Sequence, residues 1–147
     1  MIREATGSPL DIAVALRPVI LRLARNLRRD TESFGVTAHQ ATLLAQVSSR
    51  PGLSLRELAD TEGISPPSLS GHVDRLEAAG LLQRVRSTKD RRRVGLELTP
   101  DGRAILRRIR ARRTTWLADR LDRLSAEDRE LVERALPALD ALLEPRP

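Results

Sequence analysis

Residues 64–99 read ISPPSLSGHVDRLEAAGLLQRVRSTKDRRRVGLELT, and the order of elements in this stretch decides the fold. Ser65 precedes Pro66, a capping hydroxyl before a proline at the first helical position, where the missing amide sacrifices no hydrogen bond. Leu69, Val73 and Leu76 recur at helical spacing, and Gly80 ends the helix. Strand-like residues follow at 82–86, then a basic polar turn, then a strand at 94–98 in which Val94, Leu96 and Leu98 alternate with Gly95 and Glu97. A helix able to enter a groove, followed directly by a cationic hairpin, is what a winged helix-turn-helix needs to hold duplex DNA.

Outward from this stretch, helix starts are well marked. Thr37 with Gln40, Ser54 with Glu57 and Ser125 with Asp128 each place a hydroxyl three residues before an acceptor side chain, the third pair with Asp in place of Glu. Thr99-Pro100 repeats the Ser65-Pro66 device, and Gly63 stops the helix before it. These marks predict six helices, over 10–29, 38–49, 55–62, 66–79, 100–123 and 126–143, with one hairpin after the fourth. Pro18 and Pro137 lie inside the first and last, and Pro18 is expected to kink its helix. The fold class is mainly α with a small β-hairpin wing. One domain over residues 1–147 is expected, with a DNA-binding lobe at about 37–99 between dimerisation helices at about 8–30 and 100–145.

The net charge is +6, and it is concentrated: six of the ten residues at 84–93 are Arg or Lys, with Asp90 the only acid. A concentrated basic element is the footprint of a polyanion binder. Lys89 is the only lysine among 26 basic residues. The chain has no cysteine, which removes disulfides, thiolate metal ligands and thiol redox sensing together. Two histidines, His39 and His72, are too few for a dedicated transition-metal sensor, and no cofactor is expected. Asp11, Arg17 and Arg22 interrupt the apolar N-terminal run, so it reads as neither signal peptide nor membrane span, and a cytoplasmic protein is expected.

If Leu69, Val73 and Leu76 are buried with Leu55, Leu58 and Ala59, the fourth helix turns Pro67, Gly71, Asp74 and Arg75 outward, flanked by Ser68 and Ser70. Small side chains on that face allow close approach to a major groove about 12 Å wide. The hydroxyls of Ser65 and Ser68, with the free amides of the helix start, suit phosphate oxygens. Arg75 is the candidate for a guanine edge or a phosphate. His72 lies beside the core stripe, where a boundary role is the simpler reading. Ser54 and Arg56 on the preceding helix, and Arg84, Arg86, Lys89, Asp90, Arg91, Arg92 and Arg93 on the hairpin, complete the candidate DNA-contacting set. The turn is long and unable to pack, as suits an arm in a narrow minor groove, and Asp90 lies close enough to Arg92 to fix its guanidinium.

Thr37 and Gln40, Leu58-Ala59, Leu76-Glu77 with Gly80-Leu81 and Arg84, and above all Asp90-x-Arg92 followed by Leu98-Thr99-x-x-Gly102, resemble the MarR family of bacterial transcription regulators over essentially the whole chain. The resemblance implies a homodimer with two winged lobes on a pseudo-palindromic operator. It makes Arg92 the minor-groove residue, Asp90 its orienting partner, and Ser65, Pro67, Ser68, Ser70 and Arg75 the reading face. Gly71 departs from the pattern, standing where many relatives carry a larger polar or basic side chain.

A dimer is also expected from the residues themselves. Ile105, Leu106, Ile109, Leu117, Leu121, Leu124, Leu131, Leu136, Leu139, Leu142 and Leu143 are more apolar surface than a small lobe can cover. The resemblance further implies release from DNA by a small anionic or aromatic effector, for which the chain names no pocket. Trp116 reads as core packing, and Arg17, His39 and Arg112 as interface ion-pair partners rather than anion ligands. The expected function is therefore a homodimeric repressor. The alternative is a winged-helix assembly module whose hairpin binds an acidic protein. No nucleophile–His pair, phosphate loop or metal cluster points to an enzyme.

Overall fold

The computed structural model describes residues 7–29 and 31–144. The elements are α1 (Pro9–Arg28), a 3-10 turn (Thr31–Phe34), α2 (Ala38–Ser49), β1 (Leu53–Ser54), α3 (Leu55–Glu62), α4 (Pro66–Ala78), β2 (Leu82–Arg86), β3 (Val94–Leu98), α5 (Pro100–Asp122) and α6 (Ala126–Ala141). The predicted caps form. The Gln40 amide donates to the Thr37 hydroxyl at 3.1 Å while the Gln40 side chain accepts from the Thr37 amide at 2.9 Å. In the same exchange the Glu57 amide donates to the Ser54 hydroxyl at 3.1 Å and the Glu57 carboxylate accepts from the Ser54 amide at 2.8 Å. Ser8 and Asp11 form a third reciprocal box, which opens α1 one residue earlier than expected. Gly63 ends α3 at φ 65°, a left-handed turn that a side chain would strain. α1 continues as one helix through Pro18.

The sheet has three strands, not two. β3 lies in the middle, paired antiparallel with β2 on one side and with the two-residue β1 on the other. Two residues cannot display an alternation, which is why β1 escapes a periodicity reading. Leu53 stands opposite Leu96, and Ser54 opposite Gly95. A Cβ at Gly95 would lie 2.6 Å from the Gly52 carbonyl oxygen, so the glycine is what lets β1 come this close.

The chain divides into two compact units, Met1–Ile109 and Arg110–Pro147. The first holds an aliphatic core. Leu43 and Leu44 of α2, Leu58 of α3, Leu69, Val73 and Leu76 of α4, Leu82 and Leu96 of the sheet, and Ile109 of α5 are each essentially inaccessible to solvent. Leu106 is buried with them and Ile105 packs against them. This corrects one expectation: Ile105, Leu106 and Ile109 belong to the core of the winged lobe rather than to an uncovered dimer stripe. The start of α5 explains it. The Thr99 hydroxyl donates to the Gly80 carbonyl at 2.6 Å, the Thr99 amide donates to the Leu81 carbonyl at 3.2 Å, and the Gly102 amide donates to the Thr99 hydroxyl at 3.0 Å. Gly102 rests against the Leu81 carbonyl oxygen, leaving no room for a Cβ. The first turns of α5 are thereby pinned to the end of α4 and the base of the wing.

Among its described residues the second unit has no such core. No residue of α6 is buried, and Leu131, Leu136, Leu142 and Leu143 are all more than half exposed. Trp116 is half-buried, with the Arg120 guanidinium stacked 3.5 Å from its ring centre. In the first unit α1 likewise buries nothing, and Leu10, Ile12, Val14, Val19 and Leu21 each expose at least half their surface.

Candidate nucleic-acid interface

Helix α4 is presented by its cap. The Ser68 amide donates to the Ser65 hydroxyl at 3.4 Å, and the two hydroxyls lie 2.9 Å apart in a hydrogen bond. Pro66 at the first helical position lets the helix begin at full strength beside that cap. Pro67, Ser68 and Arg75 are exposed, while Ser70, Gly71 and His72 are partly covered. Apart from its chain neighbours and the backbone of its own helix, nothing lies within 4 Å of where a Cβ on Gly71 would stand. Packing within the lobe therefore does not require this glycine.

His72 does not stand alone. Its ring meets the His39 ring of α2 edge-on, with centroids 4.7 Å apart and planes at 71°. The only two histidines of the chain are thus neighbours, a contact that nothing in their sequence spacing announces. Burial holds the His72 pKa below its usual value, and His39 and Arg75 push it in the same direction.

The wing tip is braced by its own short-range bonds. The Ser87 amide donates to the Arg93 carbonyl at 2.9 Å and the Arg93 amide to the Asp90 carbonyl at 2.9 Å. The Ser87 hydroxyl accepts from the amides of Lys89 and Asp90, both at 3.3 Å. Lys89, Arg91, Arg92 and Arg93 all remain exposed. The Asp90 carboxylate accepts from the Arg92 backbone amide at 3.0 Å. This differs from the expected contact with the Arg92 guanidinium, and chain geometry gives the reason. A carboxylate two residues back closes a compact Asx ring on the amide, whereas the guanidinium extends into solvent.

Arg84 is placed differently from the other hairpin cations. Its guanidinium forks onto α4, one nitrogen 2.8 Å from an Asp74 carboxylate oxygen and the other 2.6 Å from a Glu77 oxygen. The hydrogen bond that it donates to the Asp74 carboxylate is the main reason its positive charge is held more firmly than usual. The sequence carries a faint signal, two acids three apart on one helical face followed by an arginine, but only the α4–β2 geometry joins them.

Arg86 is exposed at the far end of β2, and Arg56 is exposed on α3. Ser54 is committed to its cap, and its backbone amide followed by its hydroxyl holds the Glu57 carboxyl below the usual carboxylate range. Arg93 and Arg50 act in the same direction at longer range. Of the predicted set, then, Ser65, Pro67, Ser68, Gly71 and Arg75 share one side of α4 and Lys89 to Arg93 form the tip. Arg84 is turned to α4 and Ser54 is taken up locally.

Residues 34–93 match the profile of the MarR family. The HTH-type transcriptional repressor MdtR of Bacillus subtilis is 30% identical over 118 residues, which cover 80% of this chain and 76% of the relative. This chain belongs to the MarR family. Its members are DNA-binding transcriptional regulators rather than enzymes, and this regulator shares their winged helix-turn-helix fold. The Mycobacterium tuberculosis protein RV1404 superposes with a TM-score of 0.81 at 26% identity, over 97% of this chain and 99% of that one. An S. aureus MepR mutant, solved bound to an oligodeoxyribonucleotide, shares the fold at a TM-score of 0.67 and 19% identity, over 90% of this chain and 97% of that one. Among the described residues of this MarR-family regulator, no helix is long and apolar enough to cross a membrane.

Proposed function

We propose that this regulator is a homodimeric repressor that binds a pseudo-palindromic operator, with α4 in the major groove and the wing tip in the minor groove. The observation that carries the reading is the pairing of an outer α4 face of small side chains with a wing whose backbone is pinned while its four consecutive-region cations, Lys89, Arg91, Arg92 and Arg93, stay free in solvent. A groove that admits a helix suits the first, and a narrow groove of enhanced negative potential suits the second. The DNA-bound MepR relative and the repressor MdtR support the same reading. Dimerisation through the terminal helices is supported by the uncovered apolar residues of α1 and, separately, of α6.

For the effector, the best-supported class is a small organic anion. A groove of about 800 Å³ beside the end of α1 is lined by Arg25, Arg28 and Arg29 with Asn26, the apolar Leu21, Ala24 and Ala38, and a single acid, Glu32, so that cations outnumber the acid. Such a lining offers forked donors to a carboxylate and an apolar wall to its ring or chain.

Footprinting on the DNA upstream of the protein's own coding region tests the proposal. The expected footprint has two-fold symmetry with half-site centres about 10 bp apart or a multiple of that. Affinity falls steeply with salt, because each neutralised phosphate releases counterions. An asymmetric footprint with salt-independent affinity would refute it.

A further inference from the structure

We propose that Arg84 is a positioning residue for DNA recognition rather than a phosphate ligand: its fork onto Asp74 and Glu77 fixes the wing to the recognition helix, so that the two reading elements meet DNA as one body. The inference rests on the proposed roles of α4 and the wing. Both terminal nitrogens are committed, at 2.6 and 2.8 Å, to carboxylates on successive turns of α4. The forked, planar guanidinium is what allows one side chain to hold two acceptors in a set orientation.

Charge makes the arrangement matter for DNA. Asp74 and Glu77 are exposed acids on the element that enters the groove, and unpaired they would repel phosphate. Arg84 answers both with one cation. Its neighbours along the hairpin differ: Arg86 and Arg92 make no ion pair among the described residues. Arg84 faces Leu96 across the sheet, so the fork acts from the middle of the wing, where a small rotation of the hairpin would move the tip most. Ion pairs at this exposure contribute little to folding stability, so the consequence of losing the fork falls on geometry.

The test is affinity against salt concentration, measured by fluorescence anisotropy with full-length protein on a duplex that the wild type selects from a random pool. Arg84→Met and Arg84→Lys are compared with Arg92→Met. A lost phosphate contact lowers the slope of log affinity against log salt by about 0.9, or about 1.8 for a symmetric dimer. Arg92→Met is expected to give that drop. Arg84→Met is expected to weaken binding about ten-fold with the wild-type slope retained, the loss of charge-assisted hydrogen bonds made within the protein. Arg84→Lys keeps the charge that offsets the two acids and the apolar stem but cannot fork, so it is expected to recover only part of the loss and to bind more weakly than wild type. If Arg84→Lys binds like wild type, or if Arg84→Met lowers the slope as Arg92→Met does, the residue is a plain phosphate contact and the proposal fails. It fails also if both variants bind like wild type. Should Arg84→Met not fold, by circular dichroism, the Lys variant decides. A wild type that selects no duplex would overturn the proposed function, an outcome separate from these.

Discussion

Gly71 occupies the middle of α4 with open space where a side chain would stand. A glycine there lowers helix stability by about 1 kcal/mol relative to alanine, and nothing within the lobe gains from it. The remaining use for the missing Cβ is close approach of the backbone to DNA. Gly71→Ala is therefore expected to raise the free energy of urea unfolding by roughly 0.5–1 kcal/mol while weakening operator binding severalfold. Stability that rises without loss of affinity would remove the close-approach explanation. His72 makes stability depend on pH. Its pKa is lowered in the folded state, first by burial and then by His39 and Arg75. The unfolded chain therefore binds a proton more readily than the folded one, and stability must fall as pH drops through the ordinary histidine range near 6.5. Urea midpoints are expected to decline between about pH 7.5 and 5.5, and the decline is expected to be shallower in His72→Gln. Equal pH profiles would show that His72 is not the group responsible.

At the scale of elements, the wing tip separates two roles for one carboxylate. If Asp90 braces the backbone, Asp90→Ala loosens the turn and weakens DNA binding by about 1 kcal/mol, although it deletes a negative charge near phosphate. Asp90→Asn keeps an oxygen acceptor for the Arg92 amide and is expected to bind as well as wild type or better. An ion pair to the guanidinium would instead make Asn as harmful as Ala, and anisotropy titrations of the two variants distinguish these outcomes. The same element shows what a sequence can and cannot disclose. The caps at Thr37, Ser54, Ser65 and Ser125 are readable because donor and acceptor lie within one turn, and no predicted helix or strand end differs from the structure by more than two residues. The direction of Asp90 is decided by angles within a turn, and the partners of Arg84 by the distance between α4 and β2. Neither leaves a periodic trace. The pairing of His39 with His72 and the third strand at Leu53–Ser54 escape for the same reason.

For the whole molecule, periodicity marks which face of a helix is apolar but not what covers it. Leu106 and Ile109 turn inward to the winged lobe, whereas Leu136 and Leu139 remain 55% and 38% exposed. Aspartate at these two α6 positions is tolerable in a monomer and places charge in an apolar interface in a dimer. Wild-type protein is expected to sediment at twice its 16.4 kDa chain mass, and Leu136→Asp/Leu139→Asp at that of one chain. A wild-type mass of one chain at micromolar concentration would eliminate the dimer. The arginine-rich composition has a practical consequence of its own. Of 26 cationic side chains only Lys89 carries a primary amine, and the fold sets it in solvent at the tip of the wing. Amine-selective reagents will therefore find a single side chain in this sequence, on the element that is to enter the minor groove. A dye coupled there at a pH that spares the α-amino group would report occupancy of the operator without any engineered label site, and acylation of that nitrogen would cancel one charge at the point of closest approach to DNA.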